Sequence, residues 1–186
     1  MSEALWYLGR GTGLVSLVML TVVVALGIAN RSGRPVLGLP RFAVAAVHRN
    51  AALLAVTLLA VHVLTLLADP YAQLKLVDIV VPFVGAYRPV WLGLGTLAFD
   101  LVLALVATSL LRARLGLRTW RFVHWSAYAA WPVALLHGLG TGTDSGQLWL
   151  RITAFACAVT VVAATAWRLS QRFTEPVTLS RLDGPR

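Results

Sequence analysis

Four histidines are the residues of this chain whose type and spacing could support chemistry. His48 and His62 lie in one apolar stretch, and His124 and His137 lie in another. The first pair is 14 residues apart and the second 13, so each pair spans roughly 20 Å along a helix axis. Two helices running in the same direction would present two opposed pairs of imidazoles, one near each end. Such an arrangement suits two stacked metal cofactors.

The spacing distinguishes between the kinds of site that four histidines can form. A tetrahedral zinc site needs ligands within one or two helical turns, commonly with cysteine or carboxylate. A proton relay needs Asp, Glu and His alternating through the core, and only Asp100 offers itself. Bis-imidazole ligation of two b-type haems agrees with the spacing and with the shortage of acids. The single cysteine, Cys157, excludes a CxxCH motif, so such haems would be held non-covalently.

The composition predicts that a lipid bilayer surrounds these histidines. Apolar residues make up 59% of the 186 positions and charged residues only 12%, which is too few charges to cover a water-soluble surface. The net charge of +9 does not indicate nucleic-acid binding, because no basic face alternates with aromatic residues. The arginines lie in short connections, where they indicate membrane topology and lipid headgroup contacts.

Five apolar stretches approach the roughly 20 residues that a spanning helix needs: about 12–29, 44–68, 90–111, 120–138 and 148–169. We therefore predict an all-α membrane protein, with a five-helix transmembrane bundle over residues 1–172 and a short cytoplasmic tail over residues 173–186. Arginines concentrate in the first and third connections and in the tail: Arg31, Arg34, Arg41, Arg49, Arg112, Arg114, Arg118, Arg121, Arg168, Arg172, Arg181 and Arg186. This bias predicts an N-terminus outside and a cytoplasmic C-terminus.

The predicted topology sorts the histidines by depth. The second and fourth spans both run from inside to outside, so His48 pairs with His124 near the cytoplasmic face and His62 with His137 near the opposite face. Fourteen residues leave His62 within about 40° of His48 on an ideal helix, whereas thirteen leave His124 and His137 about 140° apart. Pro132 lies between the latter two and predicts a departure from helical geometry around residues 129–133.

Haem propionates need cationic or hydrogen-bonding partners. Arg49 and Arg121 are the candidates near the inner pair, and Arg88 and Tyr87 are the candidates near the outer one, since arginine suits carboxylates. The stretch 77–84 is too apolar for a solvated loop and too short to span, so it lies in the interface or covers the outer histidines. The run Gly9-Arg10-Gly11-Thr12-Gly13 is not interpreted as a dinucleotide loop, because no strand precedes it.

The segments around the histidines resemble the ferric reductase-like transmembrane domain family, which includes the membrane halves of NADPH oxidases and ferric reductases and the haem-binding subunit of the bacterial methionine sulfoxide reductase system. The resemblance is carried by residues 46–50 through His62 and by residues 120–124. It continues from Tyr128 through His137 into residues 140–144. It implies that His48 and His124 hold an inner haem and that His62 and His137 hold an outer one.

The resemblance implies an oxidoreductase membrane component that lacks its own flavin- and NADPH-binding domain. Electrons would come from a cytoplasmic-side flavin (FMN or FAD), a flavoprotein or a membrane quinol. They would reach an extracytoplasmic acceptor, namely a ferric complex, oxygen or a partner reductase, near residues 77–88 and 140–144. The alternatives are a non-catalytic subunit that anchors or assembles a redox complex and a histidine-based metal or proton transporter. All of these functions place the chain in the cell membrane as a multi-pass protein.

Overall fold

The computed structural model describes residues 2–32, 35, 38–141 and 146–170, and the regular elements of secondary structure in them are α-helices joined by irregular connections. The helices are α1 (Ser2–Arg31), α2 (Arg41–Ala68), α3 (Leu76–Val80), α4 (Pro89–Leu110), α5 (Arg112–His124), α6 (Ala127–Thr141) and α7 (Leu148–Leu169). These residues include no β-strand, so the predicted all-α class is confirmed for them. The predicted tail, and residues 142–144 of the predicted acceptor region, lie outside the described residues.

Four of these helices, α1, α2, α4 and α7, are long and apolar enough to cross a membrane. Their outward faces carry large exposed apolar side chains such as Leu53 and Phe155, whereas alanines such as Ala55, Ala98 and Ala154 are buried between helices. Small residues at helix contacts allow backbones to approach closely within a bilayer. The helices therefore present their bulky side chains to lipid and pack through small ones.

The predicted span over residues 120–138 is not one helix, because α5 ends at His124 and α6 begins at Ala127. The N–H of Ser126 donates to the carbonyl of Val123, and that of Tyr128 donates to the carbonyl of Trp125. These bonds reach back three residues rather than four, which overwinds the chain between His124 and α6.

The structure corrects the predicted position of this irregularity. Residues 129–133 are helical, with Pro132 inside α6, and the break lies one turn earlier, at Trp125 and Ser126. The physical reason is that proline lacks an N–H and its ring clashes with the carbonyl four residues before it. For Pro132 that carbonyl belongs to Tyr128, so the disturbance extends toward the N-terminus.

Helices α1 and α4 are the two elements against which the other helices pack. Helix α1 contacts α2, α6 and α7, while α4 contacts α3, α5 and α6. In a buried contact between α6 and α1, the Trp131 Nε1–H donates to the Thr21 Oγ1 at 2.8 Å. Helices α2 and α6 scarcely touch each other within the described residues. The two helices that carry His48, His62 and His137 thus flank α1 without packing together.

The stretch 77–84, predicted to lie in the interface or over the outer histidines, packs on the N-terminal half of α4. The Thr96 hydroxyl donates to the carbonyl of Asp78 at 2.5 Å, and Phe83, in a left-handed conformation with φ of 70°, lies against Gly93. The absence of a side chain at Gly93 allows the backbone of Phe83 to approach α4 closely.

Replacing Gly93 with alanine will destabilise the protein by about 1–3 kcal/mol, the usual cost of overpacking a core. The new Cβ would lie 2.6 Å from the backbone nitrogen of Phe83, so a backbone segment must move rather than a flexible side-chain end. Thermal unfolding in detergent, followed by circular dichroism, measures the effect. The matched control is Gly138→Ala, whose Cβ would meet nothing within 4 Å. Equal Tm values for the two variants would contradict the prediction.

Candidate functional site

Both histidines of α2 bind to backbone carbonyls of α1. The Nδ1–H of His48 donates to the carbonyl of Val23 at 3.0 Å, and that of His62 donates to the carbonyl of Gly9 at 2.6 Å. His48 lies near the start of α2 and contacts the end of α1, while His62 lies near the end of α2 and contacts the start of α1. The two helices are therefore antiparallel, and α1 orients both imidazole rings of α2.

His137, near the C-terminal end of α6, binds in the same way to α4. Its Nδ1–H donates to the carbonyl of Trp91 at 2.8 Å. The end of α6 is held on α4 by further contacts, because the indole of Trp91 lies against Gly140 and the Arg88 guanidinium donates to the Gly140 carbonyl at 2.8 Å. The ring of His137 is therefore turned toward protein, despite the unfavourable 13-residue spacing.

These three hydrogen bonds determine which nitrogen of each ring carries the hydrogen. A carbonyl oxygen can only accept a hydrogen bond, so Nδ1 of each ring must carry the hydrogen. The lone pair of the neutral imidazole is then on Nε2, which is the nitrogen left to bind a metal. A metal-binding histidine characteristically donates its other ring N–H to a carbonyl or carboxylate in this manner.

His124, at the end of α5, is held differently from the other three histidines. Its Nδ1 is buried and has no hydrogen-bond partner among the described residues. Its ring stacks on the indole of Trp120, with centroids 4.8 Å apart and an angle of 27° between the planes. Trp120 in turn donates to the Ser109 hydroxyl at 3.3 Å and lies under the Arg112 guanidinium, 4.6 Å from the ring centroid. Aromatic stacking thus orients His124 in place of a backbone carbonyl.

Each histidine of the α5–α6 segment lies within electrostatic range of one histidine of α2. His124 is in range of His48, and also of Arg31 and Arg112, while His137 is in range of His62. The assignment of these rings to an inner and an outer haem stays a prediction. No group of three or more His, Cys, Asp or Glu residues gathers around a single point in the described part of the chain. The arrangement is therefore one of separate pairs rather than of a cluster for one ion.

The four residues predicted to bind propionates lie on the surface. Arg49 follows His48 in α2, Arg121 lies in the last turn of α5, and both are exposed. Arg88 and Tyr87 are adjacent and exposed before α4, with the guanidinium 5.6 Å from the Tyr87 ring centroid. Arg88 also bonds to Gly140, as described above. The inner candidates therefore sit close in sequence to the histidines they were assigned to, while Arg88 holds α6 to α4.

Three glycines contact histidine rings, and two of them, Gly13 and Gly27, were not identified from the sequence as part of the site. A Cβ added at Gly13 would lie 2.8 Å from Nδ1 of His62, one at Gly27 would lie 3.3 Å from Cε1 of His48, and one at Gly95 would lie 2.5 Å from Nδ1 of His137. A signal was available for the first two. Gly13 and Gly27 are 14 residues apart, which matches the separation of His62 and His48 on the antiparallel neighbour.

Comparison with known protein families identifies the group to which this arrangement belongs. The model of the ferric reductase like transmembrane component matches residues 12–135, which is well over half of the chain. The chain belongs to this family. As a ferric reductase like transmembrane component with four long apolar helices, it is an integral membrane protein. No significant match to a curated protein or to a solved structure is found.

Membership in the ferric reductase like family indicates transmembrane electron transfer in general. The matched residues include His48, His62 and His124, and they end two positions before His137. The resemblance inferred from the histidine segments is thereby confirmed at the level of the family. The hydrogen bond of His137 to α4 places the fourth ring in the same structural setting as the rings of α2.

Proposed function

We propose that this protein transfers electrons across the cell membrane with two b-type haems, one held by His48 and His124 and the other by His62 and His137. The donor is a flavin, a flavoprotein or a quinol on the cytoplasmic side. The acceptor is a ferric complex, oxygen or a partner reductase on the opposite side. The chain thus serves as the membrane component of an oxidoreductase.

The observation that carries this proposal is that three of the four imidazoles bond through Nδ1 to a backbone carbonyl, which leaves Nε2 to bind a metal. Each pair combines a ring of α2 with a ring of the α5–α6 segment. Because α2 and α6 scarcely contact each other, helix packing between them does not fill the space beside the histidine rings. Two imidazole donors per level, separated from the next level by roughly 20 Å of helix, suit the two axial positions of a haem.

The residues of the chain hold and orient the ligands. Carbonyls of Gly9, Val23 and Trp91 accept the three Nδ1–H groups, so these rings keep one tautomer and one orientation. When bound, haem b would supply a one-electron iron couple, and a haem held by two histidines would pass electrons without binding a substrate at its iron. Arg49 and Arg121 would bind the carboxylates of the inner haem, and Arg88 and Tyr87 those of the outer one.

A pyridine haemochrome assay on the purified full chain tests the proposal. We expect two haem b per chain, released without covalent attachment. In sealed vesicles, a reductant enclosed on one side should then reduce a membrane-impermeant ferric complex on the other. A chain that binds no haem would overturn the proposal in favour of a histidine-based metal or proton transporter. A chain that binds haem but passes no electrons would instead indicate a non-catalytic anchoring or assembly subunit.

A further inference from the structure

The three histidines that donate from Nδ1 share one local arrangement on the helix they contact. The carbonyl that accepts the hydrogen bond lies four residues before the glycine that contacts the ring. The pairs are Gly9 with Gly13 for His62, Val23 with Gly27 for His48, and Trp91 with Gly95 for His137. We refer to these three pairs as the glycine–carbonyl contacts.

Helix geometry explains why a glycine occupies the fourth position. Each Cα–Cβ bond of an α-helix tilts toward the N-terminus, so a side chain covers the turn that precedes its own Cα. A glycine leaves that turn bare and exposes the carbonyl four residues earlier. This oxygen has two lone pairs, so it can accept the helical N–H and an imidazole N–H together.

The arrangement recurs on two different helices, which argues against coincidence in a single packing interface. Gly13 and Gly27 belong to α1 and receive rings from α2, whereas Gly95 belongs to α4 and receives a ring from α6. Gly9 and Gly93 of the same helices lie against residues other than histidine, and some glycines meet no neighbour. A Cβ at Gly11 in α1 would meet nothing within 4 Å, and the same holds for Gly138, next to His137.

We propose that Gly13, Gly27 and Gly95 are positioning residues for the haem ligands, a role that rests on the proposed function. By exposing a carbonyl, each glycine holds Nδ1–H of one ligand and leaves its Nε2 for iron. A hydrogen bond of this kind fixes the ring and raises the basicity of the ligand. It strengthens binding to Fe(III) and lowers the reduction potential of the haem.

The fourth ligand makes the two levels unequal. His124 stacks on Trp120 and has no glycine–carbonyl contact. The level of His62 and His137 therefore has both rings held by carbonyls, while that of His48 and His124 has one. We expect the haem of His62 and His137 to bind more tightly and to have the lower potential.

Substituting each glycine with alanine tests the role. The three glycines differ in how close the added Cβ comes to the ring and in which haem level that ring belongs to, so the variants should differ in a predictable way. Gly95→Ala should have the largest effect, Gly13→Ala the next and Gly27→Ala the smallest, because the added Cβ would lie 2.5, 2.8 and 3.7 Å from Nδ1 of the ring that it meets. Gly13→Ala and Gly95→Ala, on different helices, should weaken binding of the same haem, the one held by His62 and His137. Gly27→Ala should weaken binding of the other haem.

The experiment measures transfer of haem from the full-length protein to excess apomyoglobin, together with a potentiometric titration and low-temperature EPR spectra. Loss of a second-sphere hydrogen bond typically costs roughly 10- to 100-fold in metal affinity. We expect faster transfer of that order from the affected level in Gly95→Ala, with a more positive midpoint and a shifted EPR signal for that haem alone. Gly11→Ala and Gly138→Ala are the matched controls and should resemble the wild type.

The outcomes separate this inference from the proposed function. If the wild type holds two haems and Gly13→Ala, Gly27→Ala and Gly95→Ala all match the controls, the positioning role is wrong and the haem assignment stands. An equal effect on both haems in every variant would also overturn it, since general misfolding lacks level selectivity. If Gly95→Ala does not fold, Gly27→Ala still decides, because its ring needs to move by only a few tenths of an ångström. A wild type without haem removes the proposed function and this inference together.

Discussion

Replacing His62 or His137 with alanine will lower the haem content from two per chain to one and leave the haem of His48 and His124 in place. The reason is that, under the proposed function, each haem would be held by its own pair of rings. The levels are separated by roughly 20 Å of helix, so loss of one imidazole should not reach the other level. His48→Ala and His124→Ala should show the reverse selectivity.

The pyridine haemochrome assay gives the count, and potentiometric titration identifies which haem remains. His62→Ala and His137→Ala should leave the same single midpoint, and the other two variants should share a different one. Thr57→Ala is the matched control, since Thr57 is exposed on α2 between the two histidines and should keep two haems. Loss of both haems from all four histidine variants would contradict the pairing.

All four variants should also abolish transfer of electrons across sealed vesicles, even though one haem is retained. A single haem at either level leaves most of the apolar core without a redox centre. A variant with one haem and undiminished transfer would show that the two levels do not act in series.

The pairing of the histidines could be predicted from the sequence because it depends on two quantities that a sequence contains. The rise per residue sets the depth of a residue along its helix, and the distribution of arginines sets the direction of each span. In the structure, His124 lies within electrostatic range of His48, and His137 lies within range of His62. Depth along a helix is a local property, so it did not require knowledge of how the helices pack.

The partners of the rings were harder to predict because they belong to other helices. The run from Gly9 to Gly13 was examined for a dinucleotide loop, whereas its role in the structure is to receive the ring of His62. Recognising this requires knowing that α1 lies against α2 and in what register. The two glycines of α1 are 14 residues apart, as are the two histidines of α2. This match indicates the register, but only if the two helices are assumed to be antiparallel neighbours.

The sequence also indicated the wrong histidine of the α5–α6 segment as the less well oriented ring. The 13-residue spacing made His137 the geometrically doubtful ligand, yet its Nδ1–H bonds to α4 while the Nδ1 of His124 is left without a partner. The overwound turn at residues 125–126 explains the difference. Each residue of a 3₁₀ turn rotates about 120° rather than 100°, so a few such residues reduce the angular offset between the two rings.

Replacing Pro132 with alanine will weaken binding of the haem held by His48 and His124, by roughly tenfold or more on the scale of second-sphere changes. An alanine N–H at this position can bond to the carbonyl of Tyr128, which lets α6 continue into α5 as a regular helix. The offset between His124 and His137 would then return toward about 140°.

The helix that moves in this variant should be α5. Helix α6 is held by the bond of Trp131 to Thr21 on α1 and by that of His137 to Trp91 on α4. Within the described residues, the ring of His124 is oriented by its stacking on Trp120, which belongs to the same helix. The rotation therefore displaces His124 and spares the haem of His62 and His137.

Haem transfer to apomyoglobin, resolved by midpoint potential, measures the effect of Pro132→Ala. The matched control is Pro89→Ala, because Pro89 occupies the first turn of α4, where a backbone N–H has no partner within the helix. Selective loss from the level of His62 and His137, or retention of both haems at wild-type rates, would show that the break between α5 and α6 does not set the position of His124. Selective loss of haem from the level of His48 and His124 would show that Pro132 causes the helix break that brings His124 into position.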